Sequence, residues 1–171
     1  MTTLRVIGID PGPQPGLVLM RFGVSTPWWP ADVRAIQCDY QTAPDQLRYL
    51  LAVGYQGTHT LVGCERFVRG NRSAKAAHPG AVNRTERLIG EFKTAADEWF
   101  QAMGHDGRWI MNNASRVKAW AKFERLETAG LLDATKGMTH ARDAAKHALF
   151  VACNDGRAPD PLSRARQRKG K

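Results

Sequence analysis

Acidic and imidazole side chains stand at three places where a folded core would expose them. Asp10 follows a short apolar run, and Glu65 follows another. His140 and Asp143 open a helical pattern near the end of the chain, and positions three apart share one helical face. Clustered carboxylates repel each other unless a cation neutralises them, and oxygen ligands suit Mg²⁺ or Mn²⁺. These four side chains are therefore candidate ligands of a divalent metal.

Each candidate has a plainer explanation when it is taken alone. An aspartate before Pro-Gly, as at Asp10, is commonly a turn residue. Surface helices often carry His-x-x-Asp pairs, and one glutamate after a strand is weak evidence. His147 lies seven residues after His140 and falls on the same helical face. The combination is informative because acids at the ends of neighbouring strands meet at one edge of a sheet.

The apolar pattern predicts the elements that would position these residues. Strands are predicted at 6–9, 17–22, 32–39, 60–64 and 108–111, the first two as a hairpin. Helices are predicted from Pro44 to Gly54 or Gly57, over 85–103, from an N-cap at Ser115 to Leu126, and over 140–153 behind a cap at Thr139. Residues 66–87 read as an exposed basic loop. This order indicates an α/β fold around one mixed five-stranded sheet, antiparallel at first and parallel later, flanked by helices.

The charge of the chain points to a polyanionic partner. The 171 residues are enough for one domain, and the net charge is +9 at pH 7. Residues 157–171 hold six arginines and lysines against Asp160 alone. We expect one folded domain over 1–155 and a basic, flexible tail over 156–171 that contacts phosphates through counterion release. A solvated tail that only keeps the protein soluble is the alternative.

Several classes of protein are not favoured. No apolar run approaches the about 20 residues that span a bilayer, and no secretory signal pattern opens the chain. Cys38, Cys64 and Cys153 are odd in number and widely spaced, which argues against a disulfide framework or a zinc site. We expect buried thiols in a reducing compartment and a cytoplasmic protein.

Four segments together resemble the RuvC family of Holliday-junction resolvases. Segment 6–12, Val-Ile-Gly-Ile-Asp-Pro-Gly, resembles the first catalytic strand, and Glu65 after 61–64 resembles the second acidic position. Segment 115–118 is similar to the segment before the fourth helix of the family, which has a Val-Lys pair whose lysine lies near the active site. Segment 140–145 resembles the last motif, Asp or His followed three residues later by Asp. The resemblance extends from residue 4 to about 153, and the chain looks like a divergent bacteriophage member.

The resemblance implies a ribonuclease H-like fold, a homodimer and paired nicks at four-way DNA junctions by two-metal phosphodiester hydrolysis. It makes 1–155 the nuclease domain, acting in the host cytoplasm if phage-encoded. By carry-over, Asp10, Glu65, His140 and Asp143 hold two Mg²⁺ or Mn²⁺ ions per active site, and Lys118 holds a phosphate or stabilises developing charge. The candidate DNA contacts are basic or aromatic: Arg66, Phe67, Arg69, Arg72, Lys75, Arg84, Arg87, Arg116, Arg164, Arg166, Arg168 and Lys169.

Two departures from the family pattern keep other functions open. The family often has an aromatic wedge three residues after the second acid, where this chain has Val68 with Phe67 one residue earlier. The loop 66–87 is also unusually basic. A broader branched-DNA nuclease that cuts flaps and three-way junctions is therefore an alternative. From other classes, an actin-like ATPase or kinase fragment and a non-catalytic DNA-binding module also remain.

Overall fold

The computed structural model describes residues 4–23, 30–55, 59–68, 79–104 and 107–163. The strands are β1 (Leu4–Asp10), β2 (Gly16–Phe22), β3 (Pro30–Gln37), β4 (His59–Glu65) and β5 (Arg108–Asn112). The helices are α1 (Ala43–Ala52), α2 (Pro79–Met103), α3 (Ala114–Trp120), α4 (Phe123–Thr128), α5 (Leu131–Ala134) and α6 (Thr139–Asn154). None of the described helices is both long and apolar enough to cross a membrane.

The five strands form one mixed sheet in the order β3-β2-β1-β4-β5. The first three strands are antiparallel neighbours, joined through the hairpin of β1 and β2. β4 pairs in parallel with the central β1, and β5 pairs in parallel with β4. The predicted α/β fold, with a mixed sheet that is antiparallel at first and parallel later, is confirmed. The carboxyl ends of β1, β4 and β5 consequently meet at one edge.

Alternate side chains of the strands enter two separate cores. On one face the helix α6 covers the sheet, and the core there includes Val6, Val18, Leu61, Ala144 and Ala148. On the other face α1 and α2 cover it, and the core includes Ile7, Leu19, Val62, Leu47 and Phe92. Both faces are therefore apolar, which explains why the strands read as nearly continuous apolar runs.

The helix α6 lies directly on the backbone of the central strands. A Cβ atom built on Gly8 would stand 2.1 Å from the carbonyl oxygen of Ala144, and one on Gly16 would stand 2.1 Å from that of His140. Real Cβ atoms do not approach backbone so closely, so glycine is required at both positions. This close approach fixes the first turn of α6 over the end of β1.

An arginine of β1 is buried beneath the end of α1. Arg5 is fully buried, and its guanidinium donates hydrogen bonds to the carbonyls of Leu50, Leu51 and Val53 at 2.7, 3.1 and 3.1 Å. Burial, together with the nearby charge of Arg21, lowers the pKa of Arg5 to about 10. The cation therefore supplies donors to carbonyls at a helix end that would otherwise lack partners.

The boundary predicted between the basic loop and the second helix is wrong. The helix α2 begins at Pro79 rather than near residue 85, so Arg84 and Arg87 lie on a helix instead of a loop. Proline is favoured in the first turn of a helix because its missing N–H would have no intrahelical partner there. The paucity of large apolar side chains before residue 88 concealed this first part of the helix.

Two predicted helix caps are also wrong. Asn113, not Ser115, caps α3 by accepting a hydrogen bond from the backbone N–H of Ser115 at 3.1 Å. Thr139 is the first residue of α6 rather than its cap, and the amide of His140 donates instead to the side chain of Gln37 at 2.9 Å. Nor does one helix reach Leu126, because the chain turns after Trp120 and α4 follows.

The first part of the predicted flexible tail packs against the folded body. The amide of Ala158 donates to the carbonyl of Ala152 at 2.8 Å, and Asp160 forms an ion pair with Arg125 at 3.0 Å. Pro161 is buried. Residues 156–163 therefore belong to the body, and 164–171 lie outside the described residues.

Candidate active site

Three parallel strands end in polar residues at the same edge of the sheet. In the register of the sheet Ile9 pairs with Cys64, and Glu65 pairs with Asn112. Asp10, Glu65 and Asn112 therefore form one row across β1, β4 and β5. Neighbouring strands lie about 4.8 Å apart, so the row brings these side chains next to each other on the face that α6 covers. Asp10 and Glu65 were expected from the strand pattern to lie close together, and they lie next to each other in this row.

The carboxylate of Asp10 is buried and contacts the first turn of α6. Asp10 is 8% exposed, and its Oδ2 atom lies 2.9 Å from Nδ1 of His140. Burial raises the pKa of Asp10; the hydrogen bond with His140 opposes that rise, while the charges of Glu65 and Asp143 add to it. A cation beside Asp10 would offset both the burial and the repulsion.

The carboxylate of Glu65 contacts the next part of the same helix. Its Oε2 atom lies 3.2 Å from Nε2 of His147, whose side chain is fully buried. The Nδ1 atom of His147 and the Nδ2 atom of Asn112 are buried and have no hydrogen-bond partner among the described residues. Sequence analysis placed His147 on the face of His140 but did not assign it to the site.

Asn112 was missed by sequence analysis. It ends the apolar strand β5 as Asp10 and Glu65 end their strands, and that shared position was the available signal. Its side chain lies on the α6 face, because a Cβ atom built on Gly63 would stand 3.2 Å from Asn112 Nδ2 and 2.6 Å from Val151 Cγ2.

The carboxylate of Asp143 is paired within α6 itself. Its Oδ1 atom lies 2.6 Å from Nζ of Lys146, and both side chains are about one quarter exposed. The charge of Asp143 nevertheless raises the pKa of Asp10, so the two acids are within electrostatic range. Asp143 therefore faces the same edge while a lysine neutralises it.

The donor set fits a divalent cation, although the ligands are not gathered around one point. Within the described ranges, no three His, Cys, Asp or Glu side chains form a group that could hold a metal ion. Each acid is instead paired with its own basic partner on α6. The three carboxylates supply the oxygen ligands that Mg²⁺ and Mn²⁺ prefer, and Asp10 is buried near like charges that a cation would neutralise.

The structure does not join Lys118 to the carboxylates. Lys118 is exposed on α3, and its side chain forms no ion pair with Asp10, Glu65 or Asp143. Arg116, one turn before Trp120, is also exposed, and its guanidinium lies 5.3 Å from the ring centre of Phe150. Both cations are thus on the surface, where phosphates could reach them.

Two clefts adjoin the row of strand ends, and each contains an arginine. A groove of about 290 Å³ begins at Glu65; its lining residues are Glu65, Arg66, Phe67, Val68, Asn113, Ala114 and Ser115. A smaller cleft of about 90 Å³ lies beside the turn after Asp10 and is lined by Gly12, Pro13, Tyr40, Arg84 and Thr85. Arg66 and Arg84 are exposed there, whereas Phe67 is half-buried.

The remaining candidate DNA contacts are less informative. Arg87 is exposed on α2 and forms an ion pair with Glu91 at 2.8 Å. The other candidates lie outside the described residues, in 69–78 or in 164–171: Arg69, Arg72, Lys75, Arg164, Arg166, Arg168 and Lys169.

Two solved structures resemble this chain along almost its whole length. Thermus thermophilus RuvC in complex with a Holliday junction substrate has 15% sequence identity and a TM-score of 0.53, and the match covers 92% of this chain and 98% of that chain. A second Thermus thermophilus RuvC structure has 17% identity and a TM-score of 0.50, over 89% and 96% of the two chains.

The chain has the RuvC fold. The predicted ribonuclease H-like architecture is therefore confirmed, with its mixed five-stranded sheet and flanking helices. No protein-family model and no curated protein matches the sequence. At 15–17% identity the RuvC likeness is one of fold, so the chemistry has to be argued from this chain's own residues.

Proposed function

We propose that this chain is a divalent-metal-dependent DNA endonuclease that resolves four-way junctions by paired nicks. The observation that carries the proposal is the row of Asp10 and Glu65 on neighbouring parallel strands, with His140 and Asp143 in the first turns of the helix above them. The RuvC fold supports the substrate class, because one similar structure is a complex with a Holliday junction.

The metal ligands in this proposal are Asp10, Glu65, His140 and Asp143. When bound, two Mg²⁺ or Mn²⁺ ions would supply an activated water and stabilise the leaving 3′ oxygen. The protein's own part is to keep the carboxylates oriented and partly shielded from water, as Asp10 is under α6. Lys146 contacts the Oδ1 atom of Asp143 and would compete there with a metal ion.

The basic residues around the row would bind the DNA backbone. Arg66 and Arg84 lie in the two clefts beside the site, and Lys118 and Arg116 are exposed on α3. Phosphate contacts of this kind supply most of the affinity and position the strand without reading its sequence. In this proposal Lys118 acts on the DNA phosphates rather than on the carboxylates. A homodimer would present two such sites to two strands of a junction.

Removing single ligands tests the proposal. Asp10→Asn, Glu65→Gln and Asp143→Asn should each abolish Mg²⁺-dependent cleavage, while junction affinity in chelator stays close to that of the wild type because phosphate contacts supply it. Cleavage and electrophoretic binding assays measure the two properties. The matched control is Asp97→Asn, an exposed acid of α2 paired with Lys93, which should keep both. Mg²⁺-dependent cleavage at the wild-type rate in Asp10→Asn would contradict the proposal, whereas parallel loss of binding and cleavage in all three variants would indicate a folding defect.

A panel of substrates separates the alternatives. Four-way, three-way, flap and linear duplex DNA are each incubated with Mg²⁺, Mn²⁺ or chelator. Preferential cutting of the four-way junction is the expected result. Equal cutting of all branched substrates would instead favour the broader nuclease. DNA binding without cutting under any condition would favour the non-catalytic module, and ATP binding would favour the actin-like ATPase.

A further inference from the structure

We propose that His147 is a positioning residue that holds the carboxylate of Glu65 toward the catalytic edge. The inference rests on the proposed function, in which Glu65 is a metal ligand. Among the described residues, His147 is the hydrogen-bond partner of the Glu65 side chain, with Nε2 and Oε2 3.2 Å apart. Glu65 ends β4, so without this contact its flexible side chain would be free to turn into the adjoining groove.

The hydrogen bond between His147 and Glu65 has a defined direction. A carboxylate only accepts hydrogen bonds, so the imidazole donates from Nε2. The Nδ1 atom of His147 is buried without a partner among the described residues. Burying such an atom is unfavourable, and an apolar side chain at this position of the α6 core would avoid it. The hydrogen bond to Glu65 is what the imidazole contributes and an apolar side chain would not.

The exposures of His147 and His140 distinguish a positioning residue from a candidate metal ligand. The side chain of His140 is 34% exposed, so it can turn toward an ion at the open edge. The side chain of His147 is 0% exposed and is enclosed by the α6 core. Residues that hydrogen-bond a ligating side chain from behind orient it, and their loss typically weakens metal affinity by about 10- to 100-fold.

The test compares a variant that removes the hydrogen-bond donor with one that keeps it. His147→Phe preserves a planar ring but removes the N–H, whereas His147→Gln keeps an N–H that can reach Glu65. Val151→Ala is the matched control, because Val151 is buried one turn further along α6 and packs over Gly63 rather than Glu65. Mn²⁺ binding to the DNA-free protein is measured by calorimetry, alongside thermal unfolding and the kcat and KM of junction cleavage.

The expected result has a specific pattern. His147→Phe weakens Mn²⁺ binding by about 10- to 100-fold and lowers kcat at a fixed Mn²⁺ concentration, while KM for the junction stays unchanged. His147→Gln restores most of the Mn²⁺ affinity. Val151→Ala lowers the melting temperature without changing Mn²⁺ affinity.

Three outcomes would count against the inference, and they can be told apart. Wild-type Mn²⁺ affinity in His147→Phe would show that Glu65 does not depend on His147, with the proposed function intact. Failure of the wild type itself to bind Mn²⁺ would remove the proposed function and this inference with it. If His147→Phe does not fold, His147→Gln decides: lost Mn²⁺ affinity in a stably folded His147→Gln would also count against the positioning role.

Discussion

Each acid of the candidate site has its own basic partner on the last helix. His140 lies against Asp10, His147 against Glu65, and Lys146 against Asp143. Partly buried carboxylates are costly without such partners, so these pairs stabilise the acids at this edge of the sheet. With each acid held by its own partner, the candidate ligands do not gather around one point among the described residues.

Lys146 is expected to compete with a divalent cation for Asp143. Lys146→Met keeps the aliphatic stem but removes the charge, and it leaves Asp143 free to bind metal. An ion pair that is about one quarter exposed contributes up to ~1 kcal/mol, so Mn²⁺ affinity should rise by up to about 5-fold. Calorimetry on the DNA-free protein measures the change.

The control for this prediction is a substitution of Lys93, which also forms an ion pair with an aspartate on its own helix. Lys93→Met breaks the exposed pair with Asp97 on α2 and should leave Mn²⁺ affinity unchanged. Equal affinity in Lys146→Met and the wild type would show that Lys146 does not compete with the ion for Asp143.

The candidate acids and His140 could be proposed from the sequence, but the contacts of Glu65 with His147 and of Asp143 with Lys146 could not. Asp10 and Glu65 follow apolar runs, and those runs are local signals. The partner of Glu65 is 82 residues away, so its pairing with His147 depends on how α6 crosses the sheet. Arg5 is a similar case, because an arginine in a strand is usually exposed. Its burial depends on the carbonyls of Leu50 and Leu51 in α1, which are 45 and 46 residues away in the sequence.

At the scale of the elements, the close contact between α6 and the sheet predicts that alanine substitution at two glycines has opposite effects on the stability of the protein. Gly8→Ala forces a methyl group into the backbone of Ala144 and should destabilise the protein by about 1–3 kcal/mol. Gly90→Ala changes a glycine inside α2 that has nothing within 4 Å, and should stabilise it by about 0.5–1 kcal/mol. Urea unfolding measures both. Equal midpoints for Gly8→Ala and the wild type would contradict the close packing.

The order and type of the elements could be predicted, whereas several helix ends could not. Strands are recognised from short apolar runs, and all five were found in the correct order. The cap of α3 is Asn113, one of two adjacent asparagines beside a serine, and sequence alone did not distinguish them. At the start of α6, the side chain of Gln37 from β3 bonds the amide of His140, and this partner is 103 residues away. Helix ends that depend on tertiary contacts are not visible in local patterns.

At the scale of the whole molecule, the contribution of the basic tail can be separated from that of the folded body. A truncation after Ser163 removes Arg164, Arg166, Arg168, Lys169 and Lys171 but keeps the pair of Asp160 with Arg125. Each phosphate contact contributes about 0.9 to the slope of log affinity against log salt concentration. If all five cations contact phosphates, their removal should make this slope shallower by up to about 4.5.

The control is the thermal stability of the truncated protein, which should equal that of the full chain. Truncation after Asn154 would in contrast remove contacts of the body, including that of Ala158 with Ala152. An unchanged salt slope for the protein ending at Ser163 would mean that the tail does not contact the DNA.

The pairing of the first strand with the last helix has a consequence for synthesis on the ribosome. Asp10 and His140 are 130 residues apart, and Glu65 meets His147 across 82. Because α6 closes one whole core of the sheet, a nascent chain that ends before α6 has neither that core nor the partners of its acids. The growing polypeptide thus emerges with these acids unpartnered, and the proposed nuclease becomes competent only after α6 has been synthesised and docks on the sheet.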